Sequence, residues 1–147
     1  RYITVHVSGG LKMLKAVTEK AKKINKNIKV LGVTILTSLD NKSVQEIGYK
    51  NKVEKLVLKQ VSLIKKSGAS GVICSAHEAK IIRKKFKNFF IVTPGIRLPG
   101  DKKNDQKRIT TPKQAFQNKA SAIVIGRSIT TGSPKKNIKK LIDHLNQ

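Results

Sequence analysis

Short apolar runs and helical patterns alternate along this chain from one end to the other. Positions 3–7, 30–36, 71–75, 89–93 and 122–126 are brief stretches rich in Val and Ile. That is the composition of strands covered on both faces. Between them apolar residues step by three and four: Leu14, Val17, Ala21 and Ile24, then Val53, Leu56, Val57 and Ile64, with Gln60 in the same register. Near the end Ile138, Leu141, Ile142 and Leu145 form one stripe. A strand–helix repeat of this kind builds a parallel sheet, because each strand needs a crossover before the next can pair with it.

Helix starts can be read from capping residues. Ser75 with Glu78 fits a capping box, Thr111-Pro112-Lys113-Gln114 fits a second with Pro at the first helical position, and Ser133-Pro134 opens the last helix. The residues that look least structural then fall at strand exits: Ser8-Gly9-Gly10, Thr37-Ser38, Ser75, Thr93-Pro94-Gly95-Ile96-Arg97 and Gly126-Arg127-Ser128. In parallel α/β folds that rim is where ligands bind. An open doubly wound sheet shares this pattern, but every gap holds a helix and no Gly-rich dinucleotide fingerprint occurs. A (β/α)8 TIM barrel explains the order at least as well. Such a barrel runs to about 250 residues, so residues 1–147 are expected to be the C-terminal part of one barrel domain, an incomplete ring of about five βα units. Arg1 leads straight into a strand pattern, so we expect roughly three further units, on the order of 100 residues, before it.

Charge narrows the function classes. The formal net charge of +24 suggests a polyanion partner, but it comes from 27 Lys against 5 Arg, spread over every segment, with only 4 Phe and 2 Tyr. Bases are read and stacked on chiefly by arginine and aromatic side chains. No specific nucleic-acid partner is therefore expected, and the lysines are read as solvated faces. A single cysteine, Cys74, excludes an internal disulfide and is read as a small core residue. No apolar run approaches a membrane span, so no membrane partner is expected, and a cytoplasmic location is. His6, His77 and His144 lie on different elements without cysteines at zinc spacing, so no metal site is expected. His6 alternates with Thr4 and Ser8 and would either line a barrel or be a satisfied structural histidine; we take the second.

The chemistry concentrates on two rim segments. Gly126-Arg127 offers a backbone that a phosphate can approach and a guanidinium that can clamp it. Pro94 stiffens a strand exit, Gly95 permits a turn, and Arg97 opens a long polar loop that could close over a ligand or simply be a mobile basic segment.

Three blocks in this order, Val92-Thr93-Pro94-Gly95-Ile96-Arg97, Asp105-Gln106-Lys107-Arg108-Ile109-Thr110-Thr111-Pro112 and Ile123-Val124-Ile125-Gly126-Arg127, closely resemble the orotidine 5'-phosphate decarboxylase family of the bacterial type. Val5-His6-Val7-Ser8-Gly9-Gly10, Gly32-Val33-Thr34-Ile35-Leu36-Thr37-Ser38 and Gly71-Val72-Ile73-Cys74-Ser75-Ala76 resemble its other blocks. The resemblance implies a cofactor-free conversion of orotidine 5'-monophosphate to UMP and CO2 by a homodimer. It implies Thr37 at the pyrimidine ring, Gln106 bridging toward the phosphate, and Arg97, Gly126 and Arg127 on the phosphate side. The family's Asp-x-Lys-x-x-Asp motif does not occur in this sequence. No catalytic residue is therefore assigned here; that network is expected upstream of Arg1, and the chain alone is expected to be inactive. A phosphosugar epimerase or lyase on the same barrel and, less well supported, a basic nucleic-acid-binding domain are the alternatives.

Overall fold

The computed structural model describes residues 1–102 and 104–146. In chain order it contains β1 (Tyr2–His6), a 3-10 turn (Val7–Gly9), α1 (Gly10–Ile24), β2 (Lys29–Val33), α2 (Asn41–Glu46), α3 (Val53–Lys66), β3 (Gly71–Ile73), α4 (Ala76–Lys85), β4 (Phe90–Thr93), α5 (Pro112–Gln117), β5 (Ala122–Ile123), α6 (Arg127–Thr130) and α7 (Pro134–Asn146). The five strands pair in parallel in the order in which they occur in the chain. All strand C-termini therefore lie on one rim.

Register fixes the two faces. Val5 pairs with Gly32, Gly32 with Val72, and Val72 with Ile91, and this row looks toward the helices. There it meets Leu14 of α1, Val57, Val61 and Ile64 of α3, and Ile82 of α4 in one core, all of them fully buried. Each such side chain contributes about 1.5–3 kcal/mol on leaving water. Gly32 sets how closely α3 can lie on the sheet, since a Cβ there would stand 2.4 Å from Ile64 Cγ1. The next row, His6, Val33, Ile73 and Val92, looks to the opposite side, the concave face of the curving sheet.

Several expectations need correction. Strands end earlier than their apolar runs, at Val33 rather than 36, Ile73 rather than 75 and Ile123 rather than 126. Beyond those points single contacts, such as Thr34 N–H to Ile73 O at 3.1 Å and Val124 N–H to Thr93 O at 2.9 Å, replace the ladder as the chain splays into rim loops. β1 is not covered on both faces: Tyr2 is 55% and Ile3 40% exposed, because β1 is an outer strand. His6 is exposed on the concave face and its side chain makes no hydrogen bond among the described residues, so it is not a satisfied structural histidine. The stripe on α7 exists, but Ile138, Ile142 and Leu145 are 46%, 52% and 38% exposed and no residue of that helix is buried. β1 and β5, the outer strands, do not meet. The ring stays open, and the elements that flank the opening keep their apolar faces in water.

Candidate functional site

Two hollows open among the rim residues. The first, about 350 Å³, is lined by Arg97, Lys102, Asn104, Arg127, Ser128 and Asn137 among others. The second, about 280 Å³, opens over the concave face, with Val33, Leu36, Thr37, Ile73, Pro94 and Gln106 in its wall. The first carries Arg97, Arg127 and Lys102 against the single carboxylate of Asp101 and the second is largely apolar, which suits a ligand with an anionic end and a flat end.

Side chains connect the two. The Thr37 hydroxyl donates to Gln106 Oε1 at 2.5 Å. The other end of that amide donates to Asp105 Oδ2 at 2.9 Å, and Asp105 Oδ1 pairs with the Arg127 guanidinium. Arg127, with the Gln106 amide second, holds the Asp105 carboxyl below the usual carboxylate range. Of the residues expected at a ligand, Arg97 and Arg127 share the cationic hollow and Thr37 and Gln106 share the other. Gly126 lines neither; it stands between β5 and α6, where an added Cβ would meet no atom within 4 Å.

Arg97 is held differently from Arg127. It is only 6% exposed; its Nη1 donates to its neighbour's carbonyl, Ile96 O, at 2.9 Å and its Nε to Lys102 O at 3.3 Å. Nη2 is buried without a partner among the described residues. A buried guanidinium lacking a carboxylate is costly unless an anion completes it.

The long polar loop is tied down along its base. Ile96 and Thr110 form an isolated parallel bridge; Arg97 N–H donates to Thr110 O at 3.1 Å and Thr110 N–H to Gly95 O at 3.2 Å. Gly95, at φ +75°, makes the turn, and a Cβ there would lie 3.0 Å from Arg108 O and 3.2 Å from Thr37 Cβ. The returning leg is fastened to the exit of β2: Lys107 and Arg108 N–H groups both reach Thr37 O, at 3.3 and 3.1 Å. Lys107 Nζ meets Asp40 Oδ2 at 3.0 Å and Ser43 Oγ at 2.9 Å at the start of α2. The Ser43 N–H first, then Lys107, hold the Asp40 carboxyl far below its ordinary range. Lys103, also in this loop, lies outside the described residues.

Reading the sequence missed Arg108 and Glu78. Arg108 Nη1 pairs with Glu78, and Nη2 donates to Ile35 O at 3.0 Å and Leu36 O at 3.1 Å. Ser75 does cap α4, but its hydroxyl accepts from His77 N–H at 3.1 Å. The Glu78 carboxylate, near enough to feel the Ser75 N–H, turns mainly to Arg108, so the expected capping box is only half formed. The scarcity of arginine, 5 against 27 Lys, was the available signal. Cys74 is buried, and desolvation pushes its thiol up, away from nucleophilic use.

Five parallel strands in chain order, alternating with helices and carrying their polar residues on the C-terminal rim, define a (β/α) barrel protein, here an incomplete ring. The orotidine 5'-phosphate decarboxylase / HUMPS family matches residues 1–141, and the chain belongs to that family. It is 42% identical over 144 residues to an orotidine 5'-phosphate decarboxylase of Coxiella burnetii, covering 96% of this chain and 61% of that protein. To one of Wolbachia pipientis it is 43% identical over 141 residues, 95% of this chain and 61% of the relative. The crystal structure of orotidine 5'-phosphate decarboxylase from Lactobacillus acidophilus superposes with a TM-score of 0.79 at 34% identity, covering 99% of this chain and 63% of that one. This chain thus spans about three-fifths of the length of these relatives.

Proposed function

We propose that this chain forms the nucleotide-binding part of an orotidine 5'-phosphate decarboxylase, which converts orotidine 5'-monophosphate to UMP and CO2. The buried Arg97, which lines a hollow with Arg127 and whose Nη2 has no partner among the described residues, carries this reading. Two guanidiniums suit a phosphate dianion, and the apolar hollow at Thr37 suits the face of a pyrimidine. Gln106 stands between them with an amide that donates and accepts at once. In this reading Thr37 meets the ring, Gln106 bridges toward the phosphate, and Arg97, Arg127 and the open backbone at Gly126 receive the phosphate. Binding energy gathered at the phosphate, remote from the carbon that loses CO2, serves the transition state when it draws the 97–111 loop onto the ligand. Homodimer formation and a cytoplasmic location belong to the same proposal; among the described residues no helix is long and apolar enough to cross a membrane.

Calorimetric titration with UMP tests the reading. Arg97→Ala is expected to weaken binding by about 2–5 kcal/mol, the range for removing one partner of a buried charge pair. Unchanged UMP affinity in a folded Arg97→Ala variant would reject it.

A further inference from the structure

We propose that Arg108, paired with Glu78, is a positioning residue that sets the distance between Thr37 and Gln106 and so aligns the two hollows for one ligand; this rests on the nucleotide reading above. Arg108 touches three successive parts of the rim. Its guanidinium spans the Glu78 carboxylate in the first turn of α4 and the Ile35 and Leu36 carbonyls beyond β2. Its backbone N–H donates to Thr37 O, and its own carbonyl lies against Gly95. Gln106 is two residues away and takes the Thr37 hydroxyl. Thr37 is therefore gripped through its carbonyl by the loop's backbone and through its hydroxyl by the loop's amide, and Arg108 fastens both grips to α4 and to the segment that follows β2.

Stability alone explains this pair poorly. The two side chains are 12% and 7% exposed, and Arg108 Nε and Glu78 Oε2 remain without partners among the described residues. A buried ion pair with unsatisfied atoms is a weak stabilising device, and apolar residues of like volume often serve as well. What such residues cannot supply is a fork that ties one loop to a carboxylate and two carbonyls at once. Lysine, a single point charge, cannot supply it either.

The test compares UMP affinity in four chains: the parent, Gln106→Ala, the paired replacement Glu78→Leu with Arg108→Met, and the combination. The paired replacement leaves no unmatched buried charge. It is expected to weaken UMP binding at least tenfold in the parent but less than twofold in the Gln106→Ala background, because its effect runs through Gln106. Equal loss in both backgrounds, or no loss in the parent, overturns the proposal. Should the paired variant fail to fold, Arg108→Lys keeps the charge without the fork and is expected to show the same dependence on Gln106. Amide hydrogen exchange gives an arm independent of UMP: the N–H groups at 107 and 108 should exchange at least tenfold faster in the variant while Val72 in the sheet keeps its rate. Unchanged exchange at 107 and 108 overturns the positioning role. A parent chain that binds no UMP instead overturns the nucleotide reading and leaves the exchange result to decide the geometry.

Discussion

Asp105 is shared between Arg127 and Gln106: one carboxylate oxygen pairs with the guanidinium and the other accepts from the amide. This places a negative group on the arginine that is proposed to meet a phosphate, so an incoming dianion must compete with Asp105. The competition is mild, since the two side chains are 47% and 58% exposed and solvent screens such surface pairs.

Arg127→Ala should therefore weaken UMP binding less than Arg97→Ala, by about 1–2 kcal/mol, since a rim charge gives less than a buried one. The Asp105 carboxyl offers a second readout. Its pKa is depressed in the folded chain, so the link to Arg127 is present above the ordinary value of 3.8 and is lost as pH falls through the lowered value. In Arg127→Ala, carboxyl chemical shifts followed by NMR should show the Asp105 midpoint moving up toward 3.8. An unmoved midpoint would mean that Arg127 is not its main partner in solution.

Glu78 behaves in the opposite sense. Burial pushes its carboxyl above the ordinary 4.5, and the nearby Arg108 only partly offsets this. A raised folded-state pKa contributes stability that is fully present below 4.5 and is lost as pH rises through the raised value. Melting temperatures from pH 4 to 7.5 should thus fall less steeply for Glu78→Gln than for the parent. Parallel profiles would show that Glu78 titrates normally.

Gly95→Ala places a Cβ at φ +75°, 3.0 Å from Arg108 O. The left-handed backbone and the crowding together are expected to cost about 1–3 kcal/mol. Urea denaturation measures it. A loss below about 0.5 kcal/mol, the size of an ordinary surface change, would show that the turn relaxes freely.

The open side of the ring predicts a contrast between two isoleucines. Ile82 is fully buried and Ile142 is 52% exposed. Ile82→Ala should cost about 2–5 kcal/mol, whereas Ile142→Lys should stay within about 0.5 kcal/mol and reduce self-association in sedimentation. A destabilisation above about 1 kcal/mol by Ile142→Lys would mean that α7 is covered in solution.

Local regularities made much of this legible in advance. Val72 and Ile91 declare strands by their neighbours, Thr111-Pro112 declares a helix start, and the Thr111 hydroxyl does accept from Gln114 N–H at 3.3 Å. The loop from Thr93 to Thr111 was visible because nothing in it repeats. What stayed hidden depends on distant partners. Glu78 and Arg108 are 30 positions apart, and no periodicity couples them. The stripe on α7 shows which side chains share a face but not what lies opposite it. His6 was misjudged for the same reason: alternation gives its side of the strand, and only the open ring shows that this side meets water.

The strand order has a consequence for how the chain is made. Each strand from β2 to β5 hydrogen-bonds to the one translated just before it. A nascent chain leaving the ribosome at roughly 5–20 residues per second can add each βα unit to an existing edge, with no strand held waiting for a partner not yet synthesised. Growth in one direction moves one edge forward while the outer edge of β1 stays unpaired, so a chaperone would have two edges to shield, one fixed and one advancing.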